Sequence, residues 1–387
     1  MVDAIGQAAT LNDRMSSFMT GNDFLQLFAA QLAPALGFEL AVKSAGNAKN
    51  LVSFHLAADM EQFGPEGYRL MVTKDCVELS AASPAGIFYG AQTLRQLLPE
   101  TIFSPKPVPA KKWLIPAVEI EDAPRFAWRG AMLDTGRHFM PLEFIYRFID
   151  LLALHKLNTF HWHLTEDQGW RIEIKRYPRL TEIGAWRKET LSGHLSDNRR
   201  APQFDGRPHG GFYTQAEIRA VVEYAQKRHI TIIPEIEMPG HAQAAIAAYP
   251  ELGNLDQPLE VSTTWGIHRH VCNVEESTIQ FMQNVLAEVA VPDQRRHGLA
   301  RPSVSRQMQA HAQFRAKSMK GKAVVEGPET NAVTAPTWSD EAVPAVQTQH
   351  QRRAARKVRL IDLVSGWEFG GDRAPINLPS NQPKPPE

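Results

Sequence analysis

The chain has 387 residues, enough for two or three domains of ordinary size, with 43% apolar and 22% charged residues, as in a globular protein. A formal net charge of +0 provides no field for nucleic acid or an anionic membrane, and leaves a small, neutral or weakly charged substrate as the simpler expectation. No apolar run approaches the roughly 18–20 residues of a membrane-spanning helix, and two distant cysteines, Cys76 and Cys272, offer neither a disulfide framework nor a metal-ligand spacing.

The first residues, MVDAIGQAATLNDRMSSF, have neither a basic segment nor an apolar one behind it, so no signal peptide is expected and the chain as written would stay in the cytoplasm. Residues 1–122 mix helical and strand patterns. Apolar residues at helical spacing run from Asp23 to Leu36, EGYRLMV (66–72) and DCVELSA (75–81) alternate like half-buried strands, and PAGIFYGAQTLRQLLPE (84–100) forms one amphipathic helix with proline near each end. A small α+β domain is expected, closed by the proline- and lysine-rich linker SPKPVPAKK (104–112).

Residues 123–290 alternate strands and helices: RGAMLDT (129–135), a helix over 142–156, NTFHWHL (158–164), a Thr-capped helix over 214–229, ITIIPEIEM (230–238), and a helix from Glu275 to Ala290. Such alternation implies parallel strands, in a doubly wound sheet or a (β/α)8 barrel. No Gly-x-Gly-x-x-Gly follows the first strand, which counts against dinucleotide binding. Polar residues gather just past the strand ends, at Thr135–Arg137–His138, Thr165–Glu166–Asp167 and Glu237–Gly240–His241, as on the active face of a barrel.

The chemistry-bearing residues each have two readings. Arg129, at a strand start, is an ion-pair partner within the barrel or a fork of donors aimed at a polar ligand. His161 and His163 share one side of their strand; they either pack and hydrogen-bond beneath the site or form half of a metal centre. Glu166 and Asp167 stand where a carboxylate orients a partner group or acts as acid or base. His241 follows a Pro-Gly turn at a helix start, where a histidine is often purely structural.

Taken together, RGAMLDTGRHF, the block from Lys156 to Ala185, GGFYTQAEIRAVVEYA (210–225) and IPEIEMPGHAQAAIAAYPEL (233–252) resemble family 20 of the glycoside hydrolases, over about residues 50–290. The resemblance implies a (β/α)8 TIM barrel, its first half in residues 123–290, preceded by the α+β domain. It also implies a retaining β-N-acetylhexosaminidase acting on terminal N-acetylglucosamine or N-acetylgalactosamine, in which the substrate's acetamido oxygen is the nucleophile. By the same resemblance Arg129 grips the sugar's outer hydroxyls, Asp167 and His241 form a relay that orients the catalytic acid, and neither a metal nor another cofactor is needed. Family members are often periplasmic or secreted.

One departure stands out. The family's acid and its aspartate partner lie in a His-x-Gly-Gly-Asp-Glu segment on the fourth strand, and this sequence holds no Gly-Gly-Asp-Glu. Where that strand is due it reads VPDQRRHGLARPSV; the one later Asp-Glu pair, Asp340–Glu341, lacks the glycines. SGWEFGG (365–371) only faintly matches a later family block. Residues 291–387 are rich in Arg, Gln, Ser, Ala and Pro, as a shifted reading frame tends to produce, with strand patterns only in KAVVEG (322–327) and RKVRLIDLV (356–364). An incomplete barrel with open edges is the expectation, and two further readings stay open: a non-catalytic remnant that binds N-acetylhexosamine through Arg129, Asp167 and His241, and a metal-dependent hydrolase using His161, His163 and His241.

Overall fold

The computed structural model describes residues 2–3, 8–11, 21–40, 42–43, 51–108, 113–193, 201–255 and 257–290. The strands expected at 322–327 and 356–364, the Asp340–Glu341 pair and the loss of order expected after Ala290 all lie outside the described residues.

The N-terminal part is a mixed six-stranded sheet with two helices. Its strands are β1 (Ala8–Leu11), β2 (Val42–Lys43), β3 (Leu51–Leu56), β4 (Tyr68–Val72), β5 (Cys76–Ala81) and β6 (Val118–Asp122), in the order β2-β1-β3-β5-β4-β6. The alternation in β4 and β5 puts Tyr68, Leu70, Val72, Val77, Leu79 and Ala81 on the buried face. Helix α1 (Gly21–Leu36) contributes Phe24 and Phe28, whose rings meet Phe54 of β3 edge-on at 5.6 and 5.5 Å.

Helix α2 (Pro84–Leu97) starts at Ser83, whose hydroxyl accepts from the Ala85 and Gly86 N–H groups, with Pro84 in the first turn where no N–H is needed. It is buried nearly all round, at Ile87, Phe88, Tyr89, Ala91 and Leu94, because its far side also meets the barrel segment: Phe88 lies 5.3 Å from the His229 ring. On its other side Gly90 permits close packing against the sheet, since a Cβ there would stand 2.3 Å from Leu79 Cδ1 of β5.

Three parallel strands follow: β7 (Gly130–Asp134), β8 (Thr159–His163) and β9 (Thr231–Glu235), in the order β9-β8-β7. Helix α3 (Leu142–Leu154) joins the first two, burying Ile145, Ile149, Leu152 and Ala153 at helical spacing. Helix α4 (Gln215–Gln226) precedes β9 and opens with a full capping box between Thr214 and Glu217. Helices α5 (Gln243–Ala248) and α6 (Glu276–Val289) complete the described part.

The register aligns Asp134, His163 and Glu235 in one row at the C-terminal ends of the strands, with Met132, His161 and Ile233 in the row below them. Among the described residues β7 and β9 each have one unpaired edge, and Met132 is 46% exposed.

Candidate active site

At the C-terminal strand ends, carboxylates and imidazoles crowd together. His163 is 3% exposed and its Nε2 donates to the Thr165 carbonyl at 2.9 Å. Its Nδ1 faces Asp134 at 3.4 Å and Glu235 at 3.8 Å. Glu235 also takes His161 Nε2 at 2.7 Å, so one carboxylate lies against both histidines of the His-x-His strand.

Glu166 and Asp167 follow in a tight hairpin closed by pairing of Thr165 with Trp170. Glu166 is 1% exposed, yet His241 Nδ1 stands 2.6 Å from it and Arg137 Nη2 3.1 Å. Burial pushes its pKa up, but the His163 contact and the charges of Arg137 and His241 outweigh that and hold it below the usual carboxylate range. Asp167 accepts the Gln243 N–H at 3.0 Å and lies 3.4 Å from His241 Nδ1; burial, with the Glu166 charge, raises its pKa. Glu237 is driven to about 7 by burial and by its hydrogen bond to Glu235. His241 itself sits at φ 51°, in the left-handed region that L-residues enter rarely and that clusters at functional sites.

Arg171 fixes the loops beneath. It is wholly buried and donates to five carbonyls, those of Thr135, Gly136, Gln168, Ala185 and Gly211, at 2.6–3.3 Å. The polar loop sequence gave no sign of this, because an arginine in such a stretch is usually solvated.

Family models for "Glycosyl hydrolase family 20, domain 2" and "Glycosyl hydrolase family 20, catalytic domain" match residues 18–123 and 126–297. The chain belongs to glycosyl hydrolase family 20. It is 47% identical over 226 residues to a β-hexosaminidase of Porphyromonas gingivalis, covering 58% of this chain and 27% of that one. With a β-hexosaminidase of Vibrio furnissii the identity is 45%, over 58% of this chain and 35% of the other. The GH20 β-N-acetylhexosaminidase of Streptomyces coelicolor matches in structure with a TM-score of 0.64 and 35% identity, over 75% of this chain and 53% of that one. A Streptomyces plicatus β-hexosaminidase variant solved with the product GlcNAc matches equally, at 0.64 and 35%, over 74% and 53%. This family 20 chain therefore spans about a quarter to a third of those two curated relatives and about half of the two solved structures. The three parallel strands are part of a TIM barrel of this family.

The structure corrects one expected role. Arg129 lies before β7, at the opposite end of the strands from His241, five residues and roughly 16 Å of extended chain from Asp134. There it pairs with Glu66 at 2.7 Å, donates to the carbonyls of Lys156 at 2.8 Å and Phe126 at 2.9 Å, and lies over the Tyr89 ring. Three of its N–H donors are engaged there, one of them by Glu66 of the N-terminal domain, and it stands at the strand end away from His241, which favours its ion-pair reading over contact with a sugar. The guanidinium at the correct end is Arg137, which bonds Asp134 at 2.6 Å.

Asp167 and His241 do come together, but Glu166 is the nearer carboxylate to His241. His161 and His163 do not converge with His241: the latter groups with Glu166 and Asp167, whereas His163 groups with Glu235 and Glu237. The sequence reading missed Arg137 and Glu166 in these roles, although both stand among the polar strand ends it singled out.

Proposed function

We propose that this chain is a β-N-acetylhexosaminidase that takes a terminal, non-reducing N-acetylglucosamine or N-acetylgalactosamine at the C-terminal face of its strands. The observation that carries this is the Glu166–His241 contact of 2.6 Å, with Asp167 at 3.4 Å, on that face. A carboxylate charge beside Nδ1 favours a proton on that nitrogen and leaves Nε2 to orient a proton donor, the role implied by the family resemblance. The acetamido oxygen of the bound sugar attacks the anomeric carbon as the glycosidic C–O bond breaks and the proton donor protonates the leaving oxygen; water then opens the cyclic intermediate at the same carbon, and the two inversions give net retention. Arg137, rather than Arg129, supplies the guanidinium for the sugar hydroxyls.

A second reading, sugar binding without turnover, is favoured by one observation: the sequence contains no Gly-Gly-Asp-Glu. Both are tested together with 4-nitrophenyl N-acetyl-β-D-glucosaminide and calorimetric titration of N-acetylglucosamine. Nitrophenol release that His241→Asn abolishes supports the hydrolase. Saturable binding without release supports the remnant, and a chain that does neither sinks both.

A further inference from the structure

His163 presents a problem that hexosaminidase chemistry does not resolve. Its Nε2 faces a carbonyl, which can only accept, so on the neutral ring Nε2 carries the proton and Nδ1 is a bare lone pair. That lone pair is buried, has no hydrogen-bond partner among the described residues, and points at carboxylate oxygens of Asp134 and Glu235. Lone pairs facing one another at 3.4–3.8 Å repel unless something positive lies among them.

The surroundings are short of positive charge. Asp134, Glu166, Asp167, Glu235 and Glu237 crowd this end of the strands; Arg137 pairs with the first two, His241 lies against Glu166 and Asp167, and His161 against Glu235, which leaves Glu237 without an ion-pair partner among the described residues. Arg171 points its donors at carbonyls, and Arg187 gives its Nε and Nη1 to the Thr190 hydroxyl and the Arg137 and Gln168 carbonyls; neither forms an ion pair with these carboxylates among the described residues.

We propose that His163 Nδ1, Glu235 and Glu237 form a binding site for a first-row divalent cation such as Zn²⁺. One atom from each residue lies within 4.8 Å of the others. Tetrahedral zinc with bonds of about 2.0–2.2 Å needs ligand atoms roughly 3.3–3.5 Å apart, a closure that carboxylate rotation supplies. His161, held at 2.7 Å from Glu235, is the outer partner that orients a ligating carboxylate. The donor set of one imidazole and two carboxylates suits borderline cations such as Zn²⁺, Co²⁺ or Mn²⁺ and disfavours soft ones. Sugar hydrolysis does not require this site, so its fate is separate from that of the hexosaminidase reading.

The test is calorimetric titration of ZnCl₂ into the chelator-treated full chain. One saturable site of micromolar affinity is expected, weakened at least thirtyfold by Glu237→Gln and by His163→Gln, and changed less than threefold by His241→Asn, which alters the neighbouring cluster instead. Because the ion binds the folded form, excess Zn²⁺ also raises Tm in the wild type and not in Glu237→Gln. Co²⁺ in its place gives a visible absorption band that His163→Gln abolishes. No saturable uptake, or uptake that survives both Glu237→Gln and His163→Gln, overturns the proposal; His163 then carries its own second proton. Loss in His241→Asn alone also overturns it. None of these readouts depends on turnover.

Discussion

The two ends of the same three strands are built on opposite principles. At the N-terminal end Arg129 is shared between Glu66 and two carbonyls, Asn158 bridges Glu66 and the Ala127 carbonyl, and Lys156 reaches both the Tyr68 hydroxyl and Asp122, although His229 Nε2 is buried there without a hydrogen-bond partner among the described residues. At the C-terminal end, buried atoms of His163, Glu166, Asp167, Glu235 and His241 lack hydrogen-bond partners among the described residues. Barrels divide stability and chemistry between their two faces in this way, and unsatisfied polar groups in a native fold mark where stability gives way to function.

The largest effect expected is at Arg171, which shows that the reactive face rests on a satisfied layer. Arg171→Met leaves the Thr135, Gly136 and Gly211 carbonyls without this donor, while Gln168 and Ala185 keep Arg187 and the Gly211 N–H, at a cost of about 3 kcal/mol or more, a large share of a typical domain's stability. Urea unfolding followed by tryptophan fluorescence should show the native baseline nearly gone; a midpoint within 0.3 M of wild type, a shift of about 0.5 kcal/mol, breaks the assignment.

Next, Arg129→Met and Arg137→Met set the two ends directly against each other. Arg129→Met should cost about 2–3 kcal/mol by leaving the Glu66 carboxylate with the Asn158 amide but no cation, with affinity for N-acetylglucosamine unchanged. Arg137→Met should weaken that affinity at least tenfold, measured by calorimetric titration of N-acetylglucosamine. Should Arg129→Met be the variant that loses the sugar, the two ends have been assigned the wrong way round.

The fold was legible where burial is one-sided. Alternation located β4 and β5 to within two residues, and helical spacing located α3, α4 and α6, because each buries one face and exposes another; α2, buried nearly all round, was bounded instead by Pro84 and Pro99. The face of the site was legible too, from polar residues repeating just past strand ends. Its pairings were not. Glu166 and Asp167 are adjacent in sequence and both buried, and which one meets His241 is decided by the hairpin after Thr165. Glu235 comes to lie against His161 and His163 only once β8 and β9 pair in register, a contact between residues more than seventy apart in the chain. Arg129 was misplaced for a simpler reason: lying on a barrel strand does not say which end, and counting five residues back from Asp134 does.

The smallest expected effect tests whether the C-terminal end is under strain in solution. Glu237, at about 7, lies above its ordinary value of 4.5, so the folded state holds that proton more tightly than the unfolded chain does. Its contribution is therefore greatest below about pH 4.5, declines as the pH rises towards 7, and is constant above that, the reverse of an ordinary salt-bridged carboxylate. Glu237→Gln mimics the protonated form, and its amide can still donate to Glu235. The variant should match wild type in Tm at pH 5 and exceed it by a few degrees at pH 8, in chelator-treated samples so that bound cations play no part. At the N-terminal end the same comparison should show nothing, since Asp122 is held below its usual range by the Tyr68 and Lys156 hydrogen bonds in spite of its burial and is ionised throughout that interval. A wild-type curve that is flat from pH 5 to 8, or one whose slope survives in Glu237→Gln, means that the crowded carboxylates are relieved by some other route and that the two ends differ less than their hydrogen bonds indicate.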